Sequence, residues 1–301
     1  MVESKKKVAL EQVLVNVYFV AVSMLFVIPL VLMITSSFMG DNEIRMHGYR
    51  LIPDSWSLEA YRYLFRIPQR IVNAYVITAF TSIVGMVMSV ITMGLVAYPL
   101  SRKDFAYRTP ITWFIFLTML FNGGLIPSFI INTQVLGLMD SIWAYLLINL
   151  ASPFFIIIMR TFFQQLPSEL IESAKIDGAG ELRIFFTIIA PLSKPVFATI
   201  ALFVLLERWN EWIITLLYIR NESLFTLQFI LQRILGEAEF VRDFLANFPG
   251  AAQTILIDTQ AVPTLSMRYA MTVLAAGPML VVFPFFQKYF TKGLTIGAVK
   301  G

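Results

Sequence analysis

The sequence predicts an all-α membrane protein with about six transmembrane helices, and three observations lead to this prediction. The 301 residues are 58% hydrophobic and 14% charged, with a mean hydropathy of +0.75, which is more apolar surface than a soluble chain of this length can bury. Uncharged runs long enough to cross a bilayer recur along the chain. The lysines also segregate to one side of the resulting topology. We therefore expect one transmembrane domain over residues 13–290.

The predicted spans run from a cytoplasmic tail at residues 1–12 to a second cytoplasmic tail at residues 291–301. The first span is a retained helix, because its uncharged run is too long for a signal-peptide core and lacks a small-residue cleavage site. Outer loops are predicted at residues 41–70 and 220–266, and a cytoplasmic loop at residues 164–194. The six spans are predicted at residues 13–40, 71–101, 109–139, 141–159, 195–219 and 269–287.

The distribution of basic residues orients this topology. A lysine triplet at residues 5–7 precedes the first span, and all nine lysines lie in segments predicted to be cytoplasmic. Arg66, Arg70 and Arg268 lie near predicted outer span ends, where the same rule disfavours basic residues. The orienting role of these basic residues accounts for the net charge of +4, so the charge does not indicate a nucleic acid partner.

The sequence offers little for bond chemistry within this chain. It has no cysteine, so a disulfide framework is excluded. His47 is the single histidine and has no evident ligand partner, so no metal site is predicted. The phosphate-binding string G-x-x-x-x-G-K-[ST] does not occur, so a partner would have to bind any ATP and Mg²⁺. We predict a non-catalytic chain that binds no cofactor itself.

The cytoplasmic loop at residues 164–194 has the pattern of two short helices joined by a turn. Ser168 is the predicted N-cap of the first helix, and Gly178 ends that helix. A second helix is predicted over residues 181–189, before Pro191 ends it. A simple linker does not need this regularity, which indicates a docking surface for another protein.

The residues of this loop resemble the EAA loop of permease subunits in bacterial ABC importers. The family pattern is E-A-A, three residues, G, nine residues, I, one residue and L-P, and the chain departs from it only at Ser173 and Ala190. The resemblance implies the type I ABC importer permease fold, with a coupling helix that docks in a cleft of a cytoplasmic ATPase subunit. The residues that it assigns to ATPase coupling are Glu172, Ser173, Ala174, Asp177, Gly178, Ala179 and Pro191.

The same resemblance implies partners, a location and a mechanism. The partners are a second permease subunit in a heterodimer, two ATPase subunits that bind ATP and Mg²⁺, an extracytoplasmic solute-binding protein, an oligosaccharide and the lipid bilayer of the bacterial inner membrane. ATP-driven alternating access would move the sugar inward. The chain is similar to importers of oligosaccharides released from polysaccharides, including polyuronides such as alginate. The sequence does not choose among these sugars.

Charged residues interrupt the fifth predicted span within LLERWNEWIITLL. Glu207 and Glu211 are one helical turn apart with Asn210 on their face, and Arg208 can pair with Glu211 at i, i+3. Trp209 and Trp212 flank these residues, and WNEW resembles a string common in the fifth span of sugar permeases. One interpretation is a polar lining of the translocation path that also contacts sugar. The other is an internal Arg–Glu pair, with the tryptophans as anchors at the membrane interface.

Two further segments each have two possible interpretations. Gly123, Gly124 and Pro127 break helix regularity, either as part of a gate or as a plain kink. The second outer loop contains an apolar helical face, which by the resemblance contacts the solute-binding protein and otherwise rests on the membrane surface. The contact candidates are Leu227, Gln228, Ile230 and Arg233.

Two other classes of function are alternatives to an importer subunit. An ion-coupled secondary transporter would use Glu207 and Glu211 as ion sites, although the chain has no evident inverted repeat. A membrane scaffold without transport would have no use for a polar fifth span.

Overall fold

The computed structural model describes residues 2–66, 68–247 and 264–298, which are mostly helical. We number the helices in chain order. They are α1 (Val2–Ser37), α2 (Asp41–His47), α3 (Glu59–Leu64), α4 (Pro68–Ser101), α5 (Arg108–Leu120), α6 (Leu125–Val135), α7 (Ile142–Leu147), α8 (Pro153–Phe163), α9 (Ser168–Ile176), α10 (Glu181–Leu192), α11 (Lys194–Trp209), α12 (Ile213–Tyr218), α13 (Leu227–Asn247) and α14 (Thr264–Ala298). The predicted all-α membrane class is confirmed.

Three stretches are long and apolar enough to cross a bilayer, and they are Gln12–Ser37 within α1, the whole of α4, and Leu265–Phe286 within α14. The bent pairs α5–α6 and α10–α11 would each make one further span, with bends of 114° and 85°. Length and composition thus give three to five candidate spans in the described residues. The expected number of six stays a prediction.

The fourth predicted span, residues 141–159, is not one continuous helix. α7 ends at Leu147, an irregular stretch follows, and α8 begins at Pro153. Proline suits the first position of a helix and restricts the residue before it to extended conformations, which explains the break. Asn149 within the break has a φ of 57°, in the left-handed region that Asn tolerates better than most residues.

The third and fifth predicted spans are also broken. Residues 121–124 separate α5 from α6, and Gly124 there has a φ of 90°, which residues with a Cβ rarely adopt. α11 ends at Trp209 and α12 begins at Ile213, so the predicted helix over residues 195–219 is interrupted.

The chain divides into two compact units, of which the first comprises Met1–Pro68 and Leu231–Gly277. The apolar stretch of α1 buries almost nothing within the protein and is therefore available to lipid. Asp41 accepts hydrogen bonds from the backbone N–H groups of Leu265 and Ser266, at 3.0 and 2.9 Å. These N–H groups have no partner within α14, so the carboxylate caps the start of that helix.

The second unit comprises Gln69–Ile230 and Pro278–Gly301. Its longest helix, α4, buries small residues that let neighbouring helices approach closely, and a Cβ at Gly94 would lie 3.0 Å from the Phe197 ring. The apolar core lies where α4, α8, α10 and α11 meet, and it includes Met93, Tyr98, Phe155, Met159, Phe185 and Ile200. α5 and α6 have no fully buried residue, and apart from Ile115 and Phe129, which are partly buried, their large apolar side chains are available to lipid or to another subunit.

Candidate functional site

The coupling loop, residues 164–194, forms the two helices that its sequence predicts. α9 ends in a Schellman motif, in which the Gly178 N–H donates to the Lys175 carbonyl at 3.0 Å and the Ala179 N–H donates to the Ala174 carbonyl at 2.9 Å. Gly178 has a φ of 76°, so the position favours glycine. The sequence signal for this turn is therefore confirmed.

Two details of the loop differ from expectation. Ser168 is the first helical residue, with Pro167 at the cap position, and no side-chain bond caps the helix. Pro191 does not end the second helix, because helical geometry continues to Leu192 through a π-helical turn at Phe185–Ile189. The 85° bend comes at Ser193, where α11 begins with a proline in its first turn.

The loop has one anchored face and one open face. Ala174 is 8% exposed and, with Ile171 and Ala179, packs on the apolar core. The side of α9 that bears Glu172 is exposed, and the apolar side chain of Ile176 is also 87% exposed. The exposed members of the predicted coupling set are Glu172, Ser173, Asp177, Gly178 and Pro191.

A cluster of polar and charged side chains fastens the coupling loop to the end of α4. Arg102 bonds Asp104 beside it and approaches Glu181 of α10 at 3.3 Å, while Lys175 of α9 lies 3.3 Å from Asp104 and 2.9 Å from Glu181. The Tyr98 hydroxyl donates to Glu181 at 2.6 Å. We call these five residues the charge cluster. The sequence alone does not reveal this cluster, because its members are distant along the chain.

The cluster shifts the pKa values of its charged members so that they stay ionised. The hydrogen bond from Arg102 lowers the pKa of Asp104 well below its usual range, and the hydrogen bond to Glu181 raises the pKa of Lys175. Partial burial works to raise the pKa of Glu181, but the bonds from Tyr98 and Lys175 outweigh it and the net shift is downward. The cluster therefore keeps its charges near neutral pH.

Arg208, in α11, is the most constrained of the predicted path residues. Its guanidinium donates to the Tyr145 carbonyl and, at 2.8 Å, to the Ser89 hydroxyl. A Cβ at Gly85 would lie 2.5 Å from its Nη1 atom, so α4 makes room for the arginine by having glycine there. The pair with Glu211 that the sequence allowed does not form as a direct ion pair among the described residues. Arg208 bonds the Tyr145 carbonyl and Ser89 instead, and Glu211 acts on it from a longer distance.

Glu207 and Glu211 do not share one helical face, since α11 ends at Trp209. Glu211 instead accepts a hydrogen bond from the Ile214 N–H at 2.8 Å and so caps the start of α12. Asn210 is exposed at the end of α11 and accepts a hydrogen bond from Gln228 at 3.1 Å.

The predicted tryptophans have different environments. Trp209 is 5% exposed and packs near Tyr75 with ring centroids 6.4 Å apart. Its indole therefore packs within the subunit and offers little surface to a sugar. Trp212 is 39% exposed.

Two cavities adjoin the broken spans, and both belong to the second unit. The arginine cavity, of about 60 Å³, is lined by Glu207, Arg208 and Glu211 together with Tyr145 and Asn149. It has room for a few water molecules but not for a sugar. The amide cavity, of about 610 Å³, lies between α6 and α12 and shares Asn149 and Glu211 with the first. Its polar lining residues are Asn122, Ser128, Asn132, Asn149, Glu211 and Tyr218.

The predicted binding-protein contacts are only partly at the surface. Leu227 and Ile230 are 0% and 2% exposed, which makes them packing residues rather than contact residues. The Leu227 N–H also donates to the Thr78 hydroxyl at 2.8 Å. Gln228 is half-buried, and Arg233 is exposed and pairs with Glu237 at 2.9 Å.

Known proteins resemble this chain along most of its length. Residues 91–296 match the family described as "Binding-protein-dependent transport system inner membrane component". The chain is 36% identical to the polygalacturonan/rhamnogalacturonan transport system permease protein YtcP of Bacillus subtilis, over 93% of this chain and 94% of that one. It is 27% identical to the arabinooligosaccharides transport system permease protein AraQ of the same organism, over the full length of both. A crystal structure of a bacterial ABC transporter involved in the import of the acidic polysaccharide alginate matches with a TM-score of 0.75 and 28% identity, over 92% of this chain and 95% of that one.

Proposed function

This chain belongs to the binding-protein-dependent transport system inner membrane components and is a permease subunit of a carbohydrate ABC importer, and from this premise we propose how it works and what it carries. In the proposed mechanism, ATP binding in two partner ATPase subunits moves the coupling loop, and the loop moves the spans between inward-facing and outward-facing states. ATP and Mg²⁺ are bound by the ATPase subunits. A second permease completes the path, and a solute-binding protein delivers the sugar.

The open face of α9 carries the proposal. Glu172, Ser173 and Asp177 are exposed while Ala174 is buried, so the helix is fixed to its own subunit and still presents a surface to another. The exposed Ile176 adds apolar area of the kind that a helix buries in a partner's groove. The charge cluster then connects this helix to α4.

Gly178 offers the sharpest test of coupling. Valine at this φ of 76° should strain the turn by about 1–3 kcal/mol and displace α9. The matched control is Gly180→Val in the same turn, because Gly180 has no left-handed φ and a Cβ there meets no atom within 4 Å. We expect Gly178→Val to lower the sugar imported per ATP hydrolysed, with Gly180→Val closer to wild type. Normal coupling in a well-expressed Gly178→Val transporter would contradict the proposal.

The proposed substrate is an oligosaccharide derived from a polysaccharide, including acidic ones such as alginate fragments. Support comes from the sugars named for the relatives, which include acidic polysaccharides and neutral oligosaccharides. The test is to purify the tagged subunit from detergent and assay the eluate. A co-purifying permease and ATPase, with hydrolysis stimulated by the binding protein plus one oligosaccharide, would identify the substrate.

An ion-coupled secondary transporter is not favoured. The family and the relatives are components of binding-protein-dependent or ABC systems. Glu211, one of the two ion-site candidates of that alternative beside Glu207, caps α12. Transport by the isolated subunit on an ion gradient in vesicles would revive it.

A further inference from the structure

The amide cavity differs in composition from the arginine cavity beside it. Glu211 is the one charged side chain among the described residues that line it, and the other polar side chains are amides and hydroxyls. Its volume of about 610 Å³ falls within the range of about 300–1,000 Å³ that is typical of small-molecule sites. The cavity is therefore large enough for a sugar unit, whereas the arginine cavity is not.

Three breaks in regular structure meet at this cavity. Gly124 belongs to the break between α5 and α6, Asn149 to the break between α7 and α8, and Glu211 to the break between α11 and α12. Within a membrane, backbone outside a helix is tolerated where it is buried in protein or lines a cavity. The convergence of three such breaks on one space indicates that the space is a built feature of the fold.

The lining suits the hydroxyl groups of a sugar. Each amide has two N–H donors and a carbonyl acceptor, a carboxylate accepts, and a sugar hydroxyl can both donate and accept. The Asn149 side chain lines the cavity without a hydrogen-bond partner among the described residues. Asn132 uses one donor on the Tyr218 hydroxyl at 3.1 Å and keeps further capacity. Leu125 and Ile213 offer apolar surface to the C–H groups of a ring.

The same lining disfavours an acidic sugar. A uronate carboxylate in the cavity would lie close to Glu211 with no cation on the lining residues to offset the repulsion. Arg208 lines the neighbouring cavity, but Glu207 and Glu211 line it too, so its one positive charge faces two carboxylates and the net charge beside the amide cavity stays negative.

We propose that the amide cavity is a transit site for an uncharged sugar unit, in which Asn132, Asn149 and Glu211 bond sugar hydroxyls and Glu211 excludes uronates. The inference rests on the proposed import of carbohydrate. Of the acidic and neutral oligosaccharides proposed above as substrates, it keeps the neutral ones and rules out polyuronide fragments such as those of alginate. Several lining groups already bond one another, as Ser128 does to the Gly124 carbonyl at 2.8 Å, so the site holds sugar weakly. Weak binding suits a path, because cargo must leave as well as enter.

The test uses the absence of cysteine from the natural chain. Ile131→Cys places a thiol on the cavity lining without removing a bonding residue, and Ser223→Cys is the control at an exposed position outside the cavity. Each variant is assembled with its partner subunits, and a water-soluble thiol reagent labels it in the presence of galactose or galacturonate. These two sugars share one ring and differ in charge at C6.

Galactose at about twice its dissociation constant should slow labelling at residue 131 about threefold, and leave residue 223 unaffected. Galacturonate at the same concentration should slow neither. Adding Glu211→Gln, which keeps an oxygen for the Ile214 N–H, should let galacturonate protect residue 131 as galactose does.

Equal protection by both sugars without the Glu211 change would overturn the exclusion of uronates. If the cysteine at residue 131 is never labelled in the assembled complex, a partner subunit fills the cavity. If neither sugar changes the rate of labelling, no sugar binds there. Either result would overturn the proposed transit site. Since this readout measures occupancy, these failures are distinct from a failure of coupling in the Gly178→Val transporter.

Discussion

The coupling loop and the broken spans are both polar interruptions of an apolar chain, yet they are built in opposite ways. The loop is two regular helices joined by a Schellman turn, and its charges bond one another with about half of their surface exposed. In the broken spans Arg208 donates to the neutral Tyr145 carbonyl and Ser89 hydroxyl, although Glu207 and Glu211 lie nearby, and the helices are interrupted around two cavities. The first arrangement suits a rigid part that transmits a force. The second suits a part whose backbone must rearrange around cargo.

The largest loss of stability should follow from a substitution that fills the space occupied by the Arg208 side chain. Gly85→Ala places a Cβ within 3 Å of three atoms of that side chain, which can move only by giving up its bonds to the Tyr145 carbonyl and Ser89. We expect a loss of about 2 kcal/mol, because buried groups lose their partners. The measurement is the thermal unfolding midpoint of the purified transporter.

The control for this prediction is Gly277→Ala, a glycine in α14 whose added Cβ would meet no atom within 4 Å. Alanine is preferred over glycine inside a helix by up to about 1 kcal/mol, so the control should keep or raise the midpoint. Equal midpoints for the two variants would mean that Arg208 relocates freely, and the contrast between the two regions would weaken.

The two regions also differ in how far the sequence could predict them. Gly178 and the small residues around it are local signals, so the turn of the coupling loop follows from neighbours in sequence. The partners of Arg208 are set by tertiary packing, since Tyr145 lies 63 residues away along the chain. Helical periodicity therefore suggested Glu211 as its partner and could not reveal the break that separates them. Pro153 was the one local signal for the broken fourth span.

The charge cluster should respond more mildly than the arginine cavity. Arg102→Gln removes the cation shared by Asp104 and Glu181, but those carboxylates are more than half exposed and water can replace it. We expect a loss of about 1 kcal/mol in stability and a clearer fall in sugar imported per ATP hydrolysed, because α9 is no longer tied to α4. Arg108→Gln is the control, since no ion pair of Arg108 occurs in the described chain.

A double-mutant cycle with Glu181→Gln separates anchoring from general damage. If the cluster acts as one unit, Arg102→Gln should cost less when Glu181 is already neutral. Additive losses of coupling in the two single variants would show that the residues act independently, and the proposed connection between α9 and α4 would fail.

The smallest expected effect is that of pH: near neutrality, the charge cluster should make almost no contribution to the pH dependence of transport. The pKa values of Asp104 and Glu181 are lowered on folding, so their stabilisation is fully present above the ordinary carboxyl range and is lost only as pH falls through the lowered values. The pKa of Lys175 is raised, so its stabilisation is present below the ordinary lysine value and disappears as pH rises through the raised one. Sugar imported per ATP hydrolysed should therefore be flat from about pH 6 to 9, given ordinary pKa values of about 4 for carboxyls and 10.4 for lysine. The Arg102→Gln transporter is the comparison. If the ratio changes with pH within this window in wild type but not in the variant, a member of the cluster titrates there. The charges of the cluster would then not be fixed, and the prediction would be wrong.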